Sequence, residues 1–327
     1  MDEQVKKQVE YNEEQKALLT KVEQIIKGGV SQAELCRLTG ITESVMSALR
    51  KGTYGGKLEK YFDMLDKYFE VKSAAEKNYK PVRYAPISTS NLAYQTIRNI
   101  QIMGGFGIVV GDPGIGKTKA VMKYAEDNPT SCIAITAGAC IRGTRAVLKK
   151  IARELNIPLT QAIDDLYASI IAKLHDGMLI VVDEAQHLSF NAIEALREIS
   201  DEFDGKAQTC GVVLVGNDGI VERMEGAKTK GNYKQTNNRR WQLQELKTTD
   251  LSMADIKMIF PLLEGQDNAL RFLLAISNGE LGLRGAVRLF SQAYNIKTYD
   301  FDGLVAAAKA IGSRIDGVEK ALKAVRS

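Results

Sequence analysis

Long apolar runs are missing from this sequence. No stretch approaches the roughly 20 uninterrupted apolar residues that a helix needs to cross a bilayer, so no membrane-spanning role is expected. The first residues, Met1-Asp2-Glu3-Gln4, are charged and polar where a secretion signal would be apolar, and the cytoplasm is the expected compartment. Cysteine is scarce. Cys36, Cys132, Cys140 and Cys210 lie far apart with no Cys-x-x-Cys spacing, which argues against a zinc knuckle or a disulfide framework. With only His175 and His187 present, histidine-based metal chemistry is not expected either. Charge of one sign does not dominate: 44 Lys and Arg against 40 Asp and Glu leave a net +4, which permits nucleic-acid binding without arguing for it. What remains is an ordinary globular composition, 45% hydrophobic and 26% charged, long enough at 327 residues for two or three domains.

The pattern along the chain divides it into four parts: a helical domain over 1–76, a linker over 77–90, an α/β domain over 91–248 and a helical domain over 249–327. Pro81 and Pro86, with the polar run Ser88 to Asn91, oppose helix formation in the linker. In the third part, apolar runs at Phe106 to Val110, Cys132 to Ile135, Leu179 to Val182 and Val212 to Val215 alternate with amphipathic stretches. That alternation predicts a parallel sheet flanked by helices.

Gly111-Asp112-Pro113-Gly114-Ile115-Gly116-Lys117-Thr118 fits the phosphate-loop pattern, with an apolar strand before it and a helical stretch after it. Glycines let backbone N–H groups turn onto phosphate oxygens, the next helix aims its positive end at the same place, Lys117 reaches the outer phosphates and Thr118 offers a hydroxyl to Mg²⁺. Bound ATP with Mg²⁺, and ATP hydrolysis, are the expected chemistry. Met178 to Val182 is continuously apolar, as a strand buried on both faces is, and Asp183-Glu184 fall at its end, where ligands sit in such sheets. Asp183 is the candidate Mg²⁺ ligand and Glu184 the candidate base for the attacking water; the bland reading is a buried strand meeting a solvated acidic turn. Asn217 ends a third apolar strand, where a polar side chain can bond the water or the γ-phosphate, although Gly-Asn is equally a turn dipeptide.

Ser31 to Leu49 reads as two short helices joined through Gly40. Leu35, Cys36, Ile41, Met46 and Leu49 form the shared seam and Thr42 is placed to cap the second helix. As a DNA-binding helix-turn-helix, it would present Gln32, Ser44, Ser47, Arg50 and Lys51 beside an acidic Glu43; a hairpin that binds protein would have the same pattern. Two basic clusters, Arg142, Arg145, Lys149 and Lys150, and Lys228, Lys230 and Lys234, lack aromatic neighbours and so suit phosphate contact over base stacking. A solvated helix face explains Lys149 and Lys150 nearly as well.

Together the phosphate loop, the acid pair, Asn217 and Asn237-Asn238-Arg239-Arg240 resemble the AAA+ ATPases. Within them, Asp183-Glu184-Ala185-Gln186-His187-Leu188 and the N-terminal helix-turn-helix resemble the phage Mu B type of transposition ATPase. The resemblance implies a polar sensor at Asn217, an arginine finger at Arg239 or Arg240 acting on a neighbouring subunit, and a second sensor at Arg284. It also implies ATP-dependent rings or helical filaments on double-stranded DNA, with loops after the strands tracking the backbone, little sequence preference, and delivery of that DNA to a transposase. A helicase-loader-type ATPase and an ATP-switched helix-turn-helix regulator are the competing readings.

Overall fold

A computed structural model of the chain describes residues 9–226, 240–279, 281–310 and 321–323. Two compact units divide at Tyr79 and Lys80.

The first unit contains α1 (Glu13–Lys27), α2 (Gln32–Thr39), α3 (Glu43–Arg50) and α4 (Glu59–Lys77). Asn12 and Gln15 form a reciprocal cap on α1, and Ser31 Oγ accepts from Glu34 N at the start of α2. Helix α2 stops at Gly40, whose φ of 71° is the left-handed conformation that a helix end favours. The expected seam is buried: Leu35, Cys36, Ile41, Met46 and Leu49 pack with Val22 of α1 and with Phe62, Leu65 and Phe69 of α4. Each such large side chain contributes about 1.5–3 kcal/mol on burial. Thr42 departs from expectation. It stands at the cap position of α3, but its side chain makes no cap bond and pairs instead with Ser44 Oγ at 3.3 Å.

The second unit carries α5 (Ser88–Met103), β1 (Gly105–Gly111), α6 (Lys117–Asp127), β2 (Cys132–Thr136), α7 (Thr144–Glu154), α8 (Ile163–Lys173) and β3 (Met178–Asp183). Then follow α9 (Phe190–Asp204), β4 (Cys210–Gly216), α10 (Gly219–Gly226) and β5 (Arg240–Leu246). Among the described residues the strands form one parallel sheet in the order β2-β3-β4-β1-β5. Alternate residues of each inner strand face opposite sides. Ile180 and Val182 of β3 pack with α7, α8 and α9, whereas Leu179 and Val181 join Ile97 and Ile100 of α5 and Val121 of α6. Helices on both faces explain why these strands are apolar throughout. Because the strands are parallel, Gly111, Thr136, Asp183 and Gly216 all end on one edge of the sheet.

Two features depart from the sequence pattern. Ser88 to Asn91 does not oppose a helix but opens α5, because Ser88 N and Oγ donate to the Asp255 carboxylate at 2.7 and 3.0 Å. The fifth strand, β5, corresponds to none of the expected apolar runs. Beyond it the described chain is helical: α11 (Met253–Ile259), α12 (Asp267–Ser277), α13 (Gly282–Asn295) and α14 (Phe301–Ala310) surround buried Phe260, Phe272 and Phe290. No described helix is long and apolar enough to cross a membrane.

Candidate nucleotide site

The site grows from the end of β1. Gly114 and Gly116 have φ of 83° and 100°, and these left-handed turns fold the loop back over the start of α6. A side chain at either would be strained by that φ and crowded: an added Cβ would sit 3.0 Å from Arg284 Cβ at Gly114 and 3.1 Å from Ser90 Cβ at Gly116. Between them Ile115 is buried, and its carbonyl accepts from Thr89 Oγ1 at 2.7 Å. Asp112, expected among the nucleotide-binding residues, has its carboxylate turned to the loop's support. It accepts from Thr248 N and Oγ1 at 2.8 and 3.0 Å. The loop is thus fastened to α5 and to the segment after β5, and α6 presents its free amides with no acid in the first turn.

Lys117 lies over the loop, its Nζ donating to the carbonyls of Gly111 and Asp112, both at 2.7 Å. Burial lowers its pKa, and the carboxylates of Asp183, Glu184, Asp112 and Asp218 oppose that shift. Asp183 closes β3, 4% exposed. Burial raises its pKa against the hydrogen bonds from Thr118 and from Glu184 N and against the charge of Lys117. A buried carboxylate beside a hydroxyl is a donor pair that fits a hard divalent cation such as Mg²⁺. Glu184 has φ of 54°, a left-handed conformation costly for a residue with a Cβ, and its carboxylate accepts from Gln186 Nε2 at 2.5 Å.

These groups share one cavity of about 540 Å³. Lys117, Thr118, Asp183, Glu184 and Arg284 line it, and apolar walls come from Val82, Tyr84, Ile259, Leu283 and Val287. Phosphates suit the first group and a flat heterocycle the second. Helix α13 brings Arg284 there; its first residue, Gly282, has φ of 60° and packs against the Pro113 carbonyl. The apolar walls were not legible in the sequence, since Val82 and Leu283 have no local pattern in common.

Other candidates lie elsewhere. Asn217 is exposed and does not line the cavity; its Oδ1 accepts from Gly219 N at 3.1 Å and caps the turn into α10. Arg240 opens β5 opposite Phe106, five residues and so about 17 Å along the strand from Gly111. Arg239, Lys228, Lys230 and Lys234 lie outside the described residues. Arg142 and Arg145 are exposed after β2, on the same sheet edge as the site, and Lys149 and Lys150 are half-buried on α7. The loop carrying Arg142 is tied to the β3 segment at both ends: Ala137 N donates to Asp183 O at 2.9 Å and Ser189 N to Arg142 O at 2.8 Å. In the first unit Ser44 and Lys51 are exposed and Ser47 half-buried. Arg50 is engaged internally, donating to both oxygens of Glu23 and to Gln32 Oε1, so its guanidinium is turned to these partners and not to a phosphate in this arrangement.

A five-stranded parallel sheet with β1 between β4 and β5, a glycine loop running into α6 and a buried acid at the end of β3 together define a P-loop protein of the AAA class. A family model described as an AAA domain matches residues 102–224. The Mu-like prophage FluMu DNA transposition protein B of Haemophilus influenzae is 30% identical over 213 residues, covering 64% of this chain and 72% of that protein. The ATP-dependent target DNA activator B of Escherichia phage Mu is 24% identical over 190 residues, covering 58% of this chain and 59% of that one. The chain belongs to the family of Mu-type B transposition proteins. Among solved structures, Cdc6p from Pyrobaculum aerophilum gives a TM-score of 0.46 at 21% identity, covering 70% of this chain and 65% of that one.

Proposed function

We propose that this protein binds Mg-ATP, assembles with it on double-stranded DNA of little sequence preference, delivers that DNA to a transposase, and uses hydrolysis to dissolve the assembly. The observation that carries the reading is the convergence of Lys117, Thr118, Asp183 and Glu184 at the polar end of one cavity, in a chain whose relatives are named for ATP-dependent activation of target DNA and for transposition.

The residues divide the work. The amides from Gly114 to Thr118 and the ammonium of Lys117 hold the β- and γ-phosphates. Thr118 and Asp183 hold Mg²⁺, which when bound neutralises charge on the phosphate oxygens. Glu184 takes a proton from the water that attacks the γ-phosphorus as the bond to the bridging oxygen breaks and ADP leaves. Arg284 reaches the phosphates from α13 and so couples the C-terminal helices to nucleotide. Asn217 supports the water from the end of β4 once the turn into α10 adjusts. An arginine at 239 or 240 acts on a neighbouring subunit; the distance of Arg240 from its own loop supports action in trans over action in cis. Arg142 and Arg145, with Lys149 and Lys150 behind them, contact DNA phosphates. With Arg50 held by Glu23 and Gln32, the helix-turn-helix offers bases Ser44, Ser47 and Lys51, a set with little base discrimination.

Electron microscopy of the protein with duplex DNA and a non-hydrolysable ATP analogue tests the assembly. Rings or filaments that form only with nucleotide are expected. Assemblies that ignore nucleotide, or sequence-specific footprints without assembly, would overturn the reading in favour of a ligand-switched regulator.

A further inference from the structure

Glu184 is followed two residues later by Gln186, a side chain that the phosphate-loop chemistry does not call for. Its carboxamide spans two strand ends. Nε2 donates to Glu184 Oε2 at 2.5 Å, after β3, while Oε1 accepts from Asn217 N at 3.4 Å, after β4. The two partners fix its orientation: turned over, the amide would set oxygen against carboxylate and NH₂ against N–H. The short helical turn that carries it is also fastened. His187 N donates to Glu184 O at 3.1 Å, Leu188 N to Ala185 O at 3.0 Å, and Arg223 Nη1 to Leu188 O at 2.6 Å.

A second observation comes from β4. Its last residue is Gly216, with an ordinary negative φ, so no backbone conformation demands glycine there. The demand is spatial. A Cβ on Gly216 would collide with Gln186 Oε1, and its other near neighbours are the tip of Ile220 at 2.9 Å and Ala185 N at 3.3 Å. The glycine clears the place that the carboxamide occupies.

We infer that Gln186 is a positioning residue for Glu184: its amide donor holds the carboxylate at one rotamer beside the phosphate loop and ties that rotamer to the end of β4, with Gly216 making room. This rests on the reading of Glu184 as the base for ATP hydrolysis. A carboxylate on a backbone already held at φ 54° has its direction set by few other contacts, so a freed side chain samples other rotamers and spends less time on the water.

The test is steady-state ATPase kinetics with nucleotide affinity measured separately by a fluorescent ATP analogue. Gln186→Ala is expected to lower kcat about 10–100-fold with analogue affinity within a few fold, since nothing that binds phosphate is removed. Gln186→Glu, equal in shape but without the donor and with a like charge, is expected to fall at least as far, which a loss of packing alone does not produce. Gly216→Ala displaces the carboxamide while keeping the glutamine, and is expected to reproduce the effect. The double variant Gln186→Ala with Gly216→Ala should then be no worse than the worse single variant, because the two act on one contact. Unchanged kcat in Gln186→Ala, with Glu184→Gln inactive, overturns the inference and leaves the ATPase reading standing. Full turnover in Glu184→Gln overturns the reading of Glu184 as the base, and no turnover in the wild type overturns the ATPase reading itself. A fall in analogue affinity that parallels kcat in all three variants makes Gln186 a structural residue and also overturns the inference.

Discussion

Asp255 offers the sharpest quantitative test of how the C-terminal helices support the loop. It is 2% exposed on α11 and accepts on both oxygens. Oδ1 takes Ser88 N and Oγ at 2.7 and 3.0 Å, and Oδ2 takes Ser252 N at 2.7 Å and Ser252 Oγ at 2.8 Å. Ser88 opens α5, whose next residue, Thr89, holds the Ile115 carbonyl of the phosphate loop. Asp255→Ala therefore strands two backbone donors at helix starts and loosens the loop's support. Each stranded donor costs about 1–3 kcal/mol, and partial access of water to both ends leaves about 2–4 kcal/mol in all. For a unit of this size that lowers Tm by roughly 5–15 °C. The pH dependence has a definite sign. Burial pushes the Asp255 pKa up, but the bonds from Ser252 and Ser88 outweigh it and the net shift is downward. A carboxylate with a lowered folded pKa contributes its full stability above the unfolded value, about 3.9, and loses it as pH falls through the folded value. Calorimetry of both proteins from neutral pH downward is the assay. The gap in stability should hold steady near neutrality and narrow only below about pH 4. A gap below about 0.5 kcal/mol at neutral pH, within the range of ordinary surface substitutions, or one that survives undiminished into acid would refute the reasoning.

Three further outcomes follow from the site and its neighbours. Arg142→Ala with Arg145→Ala should reduce the slope of log affinity for duplex DNA against log salt by about 1.8, at about 0.9 for each phosphate no longer neutralised; an unchanged slope removes these residues from the DNA surface. Arg284→Ala should weaken ATP-analogue binding about 10–100-fold, the range for losing one charged hydrogen bond, with Tm unmoved because the side chain is exposed. Of Arg239→Ala and Arg240→Ala, one should lower turnover about 10³-fold with nucleotide affinity retained, and mixing that variant with Lys117→Ala should restore some activity across the interface. No recovery despite demonstrated co-assembly would rule out action in trans.

The parts of this molecule that are legible in the sequence are those determined within a few residues. The phosphate loop, the acids after β3 and the inner strands each carry their own signal, because a strand covered on both faces must be apolar throughout. Strand β5 lacks that signal because it is an edge strand: Gln242, Leu243 and Gln244 are half-buried and Glu245 is exposed, so its apolar content is diluted. Ser88 to Asn91 misleads for a different reason. Its helix start is stabilised by a carboxylate 167 residues away, which no local window contains. The same holds for Arg50, whose partner Glu23 lies on another helix, and for the cavity walls, where Val82 and Tyr84 meet Leu283 and Val287. Asn217 does stand at the polar end of a strand, but its amide bonds the next turn. Gln186 stands inside the motif that carries the resemblance, and only the geometry of Gly216 gives it a task.

In the proposed cycle ATP holds the protein on DNA and hydrolysis releases it. Glu184→Gln removes the base while keeping size and hydrogen-bonding capacity, so ATP still binds while turnover falls about 10² to 10⁴-fold. The direct measurement is the rate of dissociation from duplex DNA after ATP is diluted away, for wild type, for Glu184→Gln and for wild type with a non-hydrolysable analogue. Glu184→Gln is expected to leave the DNA as slowly as the analogue-bound wild type and well behind wild type with ATP. Release as fast as wild type, with the variant's ATPase activity confirmed lost, would contradict it.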